Sequence, residues 1–407
     1  MAAKKYYASR LFNKFLKMLV KPYMKHLFDY SIDNTQIQSL KPPYIILANH
    51  TNFWDPFLLA LCVPDPVYYL ASDAYFRSPI LKYLLRLVGA IPKTKFLSDP
   101  SSIRAINGVV KNKNIIGIFP EGRRNWDGTT LPLLRPTAKL IKSLNIPVVS
   151  VLFKGAYLSM PRWASSTRKG ELKMTLSVVL KPEDIEMLSV DGIFLKITGS
   201  LLYDEYEYQR KHKNSYIGRN KAEKLELFLF CCPECKNIGR LTSKGDVFTC
   251  GNCGYTVTYN SFGFFETDGA KLYFDNPKDW NLWELEYLEA FMNEQVASDN
   301  QLPLLQDHNI ILRTGRGVGP LDTLSADGSL YLYDNRLEYY IGKELLKSFP
   351  VREIRGINIQ FNNQLEFICD HIVYRFNTKT GVMGAYKWVM AIGAVKKLFR
   401  QSSKPDT

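Results

Sequence analysis

The prediction of the fold begins with residues 44–56, which read Tyr44-Ile45-Ile46-Leu47-Ala48-Asn49-His50-Thr51-Asn52-Phe53-Trp54-Asp55-Pro56. Its apolar first part is too short for a helix and predicts a buried β-strand. His50 then follows the end of a strand, which is where α/β proteins place their chemistry. Pro56 is typical of the first turn of a helix, which we predict over residues 54–62.

His50 and Asp55 are five residues apart, which on a continuous helix would place them about 140° from each other. A turn through Thr51 and Asn52 would instead bring Asp55 back to the imidazole. A histidine that is oriented by a carboxylate meets the requirement for a general base. Two other interpretations stay open: Asp55 before Pro56 is a good helix cap, and a single histidine is more often structural.

Length, composition and charge limit the class of protein. The 407 residues are enough for two or three domains, and a hydrophobic content of 46% is that of a globular protein. Lys and Arg outnumber Asp and Glu by 53 to 39, which favours an anionic partner such as a phospholipid surface, a nucleic acid or a phosphorylated substrate. We expect no transmembrane helix and no secretory signal, because no run of about 18 apolar residues is present and the first thirty residues are evenly charged.

Residues 1–30 predict a membrane-contact segment built on an amphipathic helix over 9–28. Basic residues recur every three or four positions on one face, and apolar residues cover the other. The basic residues are Arg10, Lys14, Lys17, Lys21 and Lys25, and the apolar ones are Leu11, Phe12, Phe15, Leu16, Leu19, Tyr23 and Leu27. Such a helix suits the plane of an anionic bilayer, and the alternative is an ordinary helix packed on the core.

Strands and helices alternate from residue 43 to about 180, which predicts an α/β domain over residues 31–225 with a mixed sheet flanked by helices. After the His50 strand the pattern predicts strands at 67–70, 115–119, 148–153 and 172–180, helices near 78–88, after 99–101 and near 136–143, and a loop at 89–95. Residues 183–225 are predicted to be helical and to end in a charged linker at 212–224.

A second polar segment follows the predicted strand at 115–119. It contains Pro120, Glu121, Gly122, Arg123 and Arg124. Two adjacent arginines can pair with phosphate oxygens as planar forks. Taken alone, the segment is equally well interpreted as a surface turn, since Pro and Gly mark turns.

Four segments, taken in order, resemble the four sequence blocks of the glycerolipid acyltransferases, above all the bacterial 1-acylglycerol-3-phosphate acyltransferases. They are His50 with Asp55, Gly89 with Ile91, Pro92 and Lys95, Phe119-Pro120-Glu121-Gly122 with Arg124, and Ile146-Pro147-Val148-Val149. The resemblance covers about residues 10–210. It implies His50 as the catalytic base, Asp55 as its partner, and Glu121 with Arg124 in substrate binding. Gly122, Arg123 and Lys95 are further candidates near the acceptor phosphate.

Some positions depart from the family pattern and leave the exact acceptor open. The family often has threonine where Arg123 stands, serine or threonine at Asn125, arginine at Lys95 and proline at Ser150. The resemblance implies transfer of a fatty acyl group from acyl-CoA or acyl carrier protein to 1-acyl-glycerol-3-phosphate, without an acyl-enzyme. Glycerol 3-phosphate or another lysophospholipid is the alternative acceptor. We expect a cytoplasmic, peripheral protein on an anionic membrane surface.

Residues 226–262 predict a zinc ribbon. Cys232 with Cys235 and Cys250 with Cys253 form two CxxC pairs around a short strand-like segment. This spacing is typical of four thiolates in a closed, structural zinc site, and it indicates a reducing compartment. Cys231 offers another register, but only Cys232 gives the two-residue gap.

Residues 308–407 predict a small antiparallel β domain, joined to the ribbon by a helical connector at 263–307. Strands are predicted in a hairpin at 330–340 and at 357–361, 364–369 and 372–376, with a closing helix at 384–399. This arrangement resembles a barrel of the pleckstrin-homology or GRAM type, which would bind a lipid headgroup or pack on the enzyme.

A nucleic-acid-binding protein with a zinc ribbon is the alternative from a different functional class. The basic charge lies mainly at the N-terminus and around Arg123 and Arg124, whereas the ribbon is only modestly basic. We therefore do not favour a nucleic acid partner; binding to DNA that weakens with salt, without acyl transfer, would be evidence for one.

Overall fold

The computed structural model describes residues 10–93, 100–298, 302–317, 319–380 and 383–402. The chain divides into two compact units. The first is Met1–Lys221 with Ser261–Gly263, and the second is Ala222–Asn260 with Phe264–Thr407. The finer division of the second unit into ribbon, connector and β domain stays a prediction. Among the described helices, none combines the length and the apolar character that crossing a bilayer requires.

The first unit is a seven-stranded sheet with helices packed against it. Its strands are β1 (Asp29–Asp33), β2 (Ile45–Ala48), β3 (Val67–Ser72), β4 (Ile91–Lys93), β5 (Ile115–Ile118), β6 (Val148–Lys154) and β7 (Glu171–Leu180). Its helices are α1 (Arg10–Leu27), α2 (Asp55–Leu61), α3 (Pro79–Leu87), α4 (Pro100–Lys111), α5 (Pro136–Leu144), α6 (Ala156–Ser159), α7 (Pro182–Met187), α8 (Val190–Leu201) and α9 (Glu205–His212). The strand order is β1-β7-β6-β2-β5-β3-β4, and only the β6–β7 pair is antiparallel. The predicted mixed sheet is confirmed.

Strand β2 lies at the centre of this sheet and is buried along its whole length. Because successive side chains of a strand point to opposite faces, Ile46 and Ala48 enter one core and Ile45 and Leu47 the other. The first core includes α1 and α2, and the second includes α4, α5 and α8. Strands β2, β5 and β6 are parallel, so the segments that follow them meet at one edge of the sheet.

Two strands of the sheet were not predicted, and both lie at its edges. Strand β1 has the polar sequence Asp29-Tyr30-Ser31-Ile32-Asp33 and pairs only with β7 among the described strands. Strand β4 falls in the predicted loop at 89–95 and pairs with β3. Neither strand carries an apolar run, because an edge strand is only partly buried, and the periodic signal is therefore missing.

Helix α1 agrees with the predicted helix over residues 10–27, but it ends one residue before the predicted end at 28, and residue 9 lies outside the described residues. Its apolar face is largely uncovered in the first unit. Leu11, Phe15, Met18, Leu19 and Tyr23 are 82%, 54%, 63%, 52% and 49% exposed, respectively. The side that packs on the first core carries Met24, which is fully buried.

Lys17 does not lie with the exposed lysines of α1, contrary to the predicted basic face. Its Nζ donates to the carbonyl oxygens of Val63, at 2.8 Å, and of Pro64 and Asp65, both at 3.1 Å. Burial lowers the pKa of Lys17 to about 8, although the charge of Asp65 opposes this change. Lys17 thus fastens α1 to the segment after α2.

The second unit contains antiparallel sheets and two long helices. Its strands are β8 (Leu241–Lys244), β9 (Val247–Cys250), β10 (Thr256–Tyr259), β11 (Phe265–Glu266), β12 (Leu305–Asp307), β13 (Ile310–Gly315), β14 (Asp322–Ser325), β15 (Ser329–Leu332), β16 (Arg336–Ile341), β17 (Glu344–Pro350), β18 (Arg355–Gln360), β19 (Gln364–Cys369) and β20 (Ile372–Thr378). Its helices are α10 (Pro277–Ala297) and α11 (Ala385–Ser402). The sheet orders are β11-β10-β9-β8, β12-β15-β16-β17 and β14-β13-β20-β19-β18.

The predicted hairpin at 330–340 corresponds to the antiparallel pair β15–β16. Strands β12, β13, β14 and β17 were not predicted. Closure of the sheets β12-β15-β16-β17 and β14-β13-β20-β19-β18 into a barrel stays a prediction, as does a likeness to a lipid-binding module.

Candidate active site and candidate metal centre

His50 lies two residues beyond β2, at the edge of the sheet where the parallel strands end. Its Nδ1 is 2.8 Å from Oδ2 of Asp55, and its ring stacks on Phe119 with 4.2 Å between ring centroids. Because a carboxylate only accepts hydrogen bonds, we assign the proton of the neutral imidazole to Nδ1. Nε2 then carries the lone pair that could accept a proton. The His50 side chain remains 19% exposed.

Asp55 is fully buried at the first position of α2. Its Oδ2 accepts hydrogen bonds from the backbone N–H groups of Thr51, at 2.6 Å, and Asn52, at 2.9 Å. The carboxylate therefore organises the turn between strand and helix and orients the imidazole. The helix-cap interpretation of Asp55 is wrong, because the N-cap is Trp54 and no side-chain capping bond is made there.

The electrostatic surroundings favour the neutral form of His50. Burial lowers the pKa of the imidazole below its ordinary value, and the positive charges of Arg124 and Arg162 lower it further. The hydrogen bond and charge of Asp55 act in the opposite direction. A lowered pKa keeps the base unprotonated at neutral pH.

Glu121 is buried, and it contacts the backbone of the candidate base. Its Oε1 accepts from the N–H of His50 at 2.7 Å, and its Oε2 accepts from the N–H of Leu131 at 2.8 Å. Burial raises the pKa of Glu121 to about 8, and these two amide bonds oppose the change. The contacts position His50, while the expected role of Glu121 in substrate binding stays a prediction.

Gly122 makes the turn that leads to the two arginines. Its φ of +70° is unfavourable for residues with a side chain, and an added Cβ would lie 2.8 Å from Leu134 Cδ1. Arg123 is exposed, whereas Arg124 is partly buried and close enough to His50 and Asp55 for their charges to interact. Burial lowers the pKa of Arg124, and the charges of Tyr75 and Asp55 raise it. Lys95 lies outside the described residues.

Several residues of the site were not identified from the sequence. The Asn49 side chain exchanges hydrogen bonds of 3.1 Å and 2.8 Å with the backbone of Phe153, and Asn52 Nδ2 donates to the carbonyl of Ala156 at 3.1 Å. These amides tie the His50 segment to the end of β6 and to the start of α6. The only sequence signal for a role of Asn49 and Asn52 was their position on either side of His50. Arg162 lies far along the chain and gave no such signal.

Residues 30–154 match the family model described as Acyltransferase. The matched region contains His50, Asp55 and the segment from Glu121 to Arg124. The family match therefore covers the part of the first unit that contains the candidate site, and it supports the enzyme class predicted from the sequence.

Two curated relatives are named 1-acyl-sn-glycerol-3-phosphate acyltransferase. The protein of Saccharomyces cerevisiae is 29% identical over 163 residues, which are 38% of this chain and 51% of that protein. The protein of Bacillus subtilis is 24% identical over 146 residues, which are 36% of this chain and 70% of that protein. The chain thus spans about half the length of the yeast relative.

Among solved structures, the chain is similar to the 1-acyl-sn-glycerophosphate acyltransferase PlsC of Thermotoga maritima. The TM-score is 0.41 at 18% identity, over 46% of this chain and 75% of that one. A score of this size does not establish a shared fold.

The four cysteines of the two CxxC pairs meet in the second unit. Their Sγ atoms all lie within 4.8 Å of one another, and the Cys232–Cys253 and Cys235–Cys250 separations are both 3.7 Å. Four sulfurs at 2.3 Å from a tetrahedral zinc ion would be about 3.8 Å apart, so the geometry fits this ion. Asn252 donates to Cys250 Sγ from its backbone and to Cys235 Sγ from its side chain, both at 3.4 Å, which favours thiolates.

Helix α10 contacts the segment in front of this cluster through buried polar groups. The Glu284 carboxylate accepts from the N–H groups of Phe230, at 2.8 Å, and Cys231, at 2.9 Å. Trp280 Nε1 donates to the Cys231 carbonyl at 2.9 Å. The Cys231 thiol is outside the cluster of four, and its contacts with α10 are made by its backbone.

Proposed function

We propose that the protein transfers a fatty acyl group from acyl-CoA or acyl carrier protein to the free hydroxyl of 1-acyl-glycerol-3-phosphate, giving phosphatidic acid. The observation that carries this proposal is the 2.8 Å contact between His50 Nδ1 and Asp55 Oδ2 at the end of a central strand. The names of the curated relatives support the choice of acceptor.

The mechanism requires one base and no covalent intermediate. His50 Nε2 takes the proton of the glycerol hydroxyl as the oxygen attacks the thioester carbonyl, and Asp55 stabilises the resulting imidazolium. The tetrahedral intermediate collapses, the carbon–sulfur bond breaks, and the imidazolium returns its proton to the departing thiolate. The products are the new ester and a free thiol. Arg123, Arg124 and Lys95 are the candidates to hold the acceptor phosphate.

The proposal is tested by incubating the purified protein with a panel of acceptors and with acyl-CoA, or acyl carrier protein, that bears a radiolabelled acyl group. We expect the highest rate with 1-acyl-glycerol-3-phosphate. A higher rate with glycerol 3-phosphate or with an uncharged lysolipid would identify that compound as the acceptor and would leave the proposed enzyme class unchanged. No transfer to any acceptor, together with salt-dependent binding to DNA, would favour the nucleic-acid-binding alternative.

We also propose that α1 holds the enzyme on an anionic bilayer, which brings the lipid acceptor to His50. The support is the uncovered apolar face of the helix, combined with three exposed lysines, Lys14, Lys21 and Lys25. The helix adjoins the catalytic segment, since the rings of Tyr23 and Trp54 are 5.5 Å apart. Phe53, three residues after His50, is itself 46% exposed.

Reversing the charge at Lys14, Lys21 and Lys25 to glutamate is expected to release the protein from vesicles that contain phosphatidic acid. Each lysine near such a surface contributes about 1 kcal/mol, so losing the three attractions alone weakens binding by about two orders of magnitude. Replacing Phe15, Met18 and Leu19 with serine is expected to release it even at low salt. The measurement is co-sedimentation with vesicles.

The control replaces Lys111, Lys139 and Lys196 with glutamate, which changes the net charge by the same amount. These three lysines are exposed elsewhere in the first unit. This variant should sediment almost like the unmodified protein. Lys17 is left intact in all variants because its three carbonyl contacts fasten the helix. If both α1 variants sediment fully, α1 is not the membrane anchor.

We further propose that Cys232, Cys235, Cys250 and Cys253 hold one structural zinc ion. The support is the sulfur geometry together with the closed donor set of four thiolates, which leaves no position for a substrate. The ion would keep the knuckle near Cys231 in the conformation that α10 binds.

Freshly purified protein is expected to contain one zinc ion per chain by metal analysis, and Cys232→Ala is expected to lose it and to lower the melting temperature. Cys231→Ala is the matched control, because the neighbouring thiol lies outside the cluster. Retention of zinc by Cys232→Ala and its loss from Cys231→Ala would show that the register is wrong. Metal-free protein that melts at the normal temperature would refute the structural role.

A further inference from the structure

We propose that Arg162, a residue with no role in the sequence-based assignment, positions the catalytic base by holding the segment 124–126 against it. The inference rests on the proposed function and adds a residue to it. Arg162 is only 6% exposed, and its Nη1 donates to the carbonyl oxygen of Arg124 at 2.9 Å. Its guanidinium carbon lies 4.4 Å from the ring centroid of Trp126, in a cation–π contact.

Asn125 lies between these two contacts and is hydrogen-bonded to the backbone of His50. The backbone N–H of Asn125 donates to the carbonyl oxygen of His50 at 3.0 Å, and Asn125 is 1% exposed. Arg162 therefore contacts the segment on both sides of Asn125, the residue that is hydrogen-bonded to His50. The carbonyl of Trp126 is bound in addition by the hydroxyl of Tyr157 at 2.9 Å.

Four contacts together fix His50. Glu121 accepts from its N–H, Asn125 donates to its carbonyl, Asp55 binds Nδ1, and Phe119 covers one face of the ring. Loosening segment 124–126 would free the carbonyl side of this arrangement. A misplacement of about 1 Å in a catalytic group can cost a hundredfold in rate, so a residue that is not in contact with substrate can matter strongly.

Arg162 also acts on His50 through its charge. The titratable and charged groups around the imidazole are Asp55 from α2, Glu121 and Arg124 from the segment after β5, and Arg162 from the segment after α6. The positive charge of Arg162 lowers the pKa of His50. Removing that charge should raise the pKa, so the acid limb of the kcat/KM profile should move to higher pH.

The test compares Arg162→Met, which removes charge and contacts, with Arg162→Lys, which keeps the charge but not the planar fork. We expect Arg162→Met to lower kcat by about 10- to 100-fold and to shift the acid limb upward. We expect Arg162→Lys to lower kcat as well, but to leave the acid limb in place. NMR titration of ¹³C-labelled histidines gives the pKa of His50 independently of turnover, with His50→Gln identifying its signal.

Arg168→Met is the matched control. Arg168 is likewise buried, donates from Nη2 to a backbone carbonyl, that of Lys221, and lies 5.0 Å from the Trp163 ring centroid. Arg168→Met should lower the melting temperature by a similar amount and leave the pKa of His50 unchanged.

A normal kcat and an unshifted His50 titration in Arg162→Met would overturn the proposal. A higher KM for the acceptor at unchanged kcat would also overturn it, because Arg162 would then bind substrate. If the unmodified enzyme transfers no acyl group, the proposed function fails, while the NMR titration still tests the placement of Arg162. If Arg162→Met does not fold, Arg162→Lys decides through its kcat.

Discussion

Replacing His50 with alanine is expected to lower the rate of acyl transfer by about two to four orders of magnitude, the usual contribution of a general base. The glycerol hydroxyl is a weak nucleophile at neutral pH, and Nε2 of His50 is the atom proposed to take its proton. The turn around the site should survive, because Asp55 is still held by the N–H groups of Thr51 and Asn52. Initial rates with labelled acyl-CoA measure the effect.

Two further variants separate the loss of the base from a loss of packing. His50→Gln retains a hydrogen-bond donor toward Asp55 and can still pack on the ring of Phe119, yet it should be as inactive as His50→Ala. His308→Ala changes a histidine of the second unit and should retain activity. Circular dichroism melts show whether each variant is folded. Near-normal turnover of a folded His50→Ala protein would contradict the mechanism.

The core of the first unit could be predicted because its central strands carry uninterrupted apolar runs. Strand β2 is buried on both faces, and so is β5, and both were found within one residue of their ends. Their parallel pairing brings the segments after each strand to one edge. The His50 turn and the Glu121 segment meet there, and the hydrogen bond from His50 N–H to Glu121 Oε1 joins them.

Contacts between distant parts of the chain could not be predicted in this way. Lys17 belongs to the basic pattern of α1, but its ammonium group binds carbonyls 46 to 48 residues later. Arg162 lies 38 residues beyond Arg124, in a segment whose helix, α6, has a single turn. Neither contact leaves a periodic or motif signal, because each depends on where the fold brings a carbonyl group. The edge strands β1 and β4 were not predicted for a related reason, because a partly buried strand carries no apolar run.

Replacing Asp55 with asparagine is expected to lower kcat by about two to four orders of magnitude while leaving the protein folded. The carboxamide oxygen can still accept from the N–H of Thr51 or Asn52. Because one oxygen, Oδ2, accepts from His50 Nδ1 as well as from these two N–H groups, the carboxamide oxygen that takes its place keeps the imidazole oriented. The negative charge that stabilises the imidazolium during proton transfer is lost, so the base is weaker. The measurement is the initial rate with saturating acceptor, together with a thermal melt.

Asp55→Ala distinguishes this effect from simple damage to the turn. It leaves the buried N–H groups of Thr51 and Asn52 without their acceptor, at about 1–3 kcal/mol for each unsatisfied donor. We therefore expect Asp55→Ala to lower the melting temperature clearly and Asp55→Asn to lower it little, although both are nearly inactive. If activity instead follows stability across the two variants, so that Asp55→Asn stays active, Asp55 serves the turn and not the base.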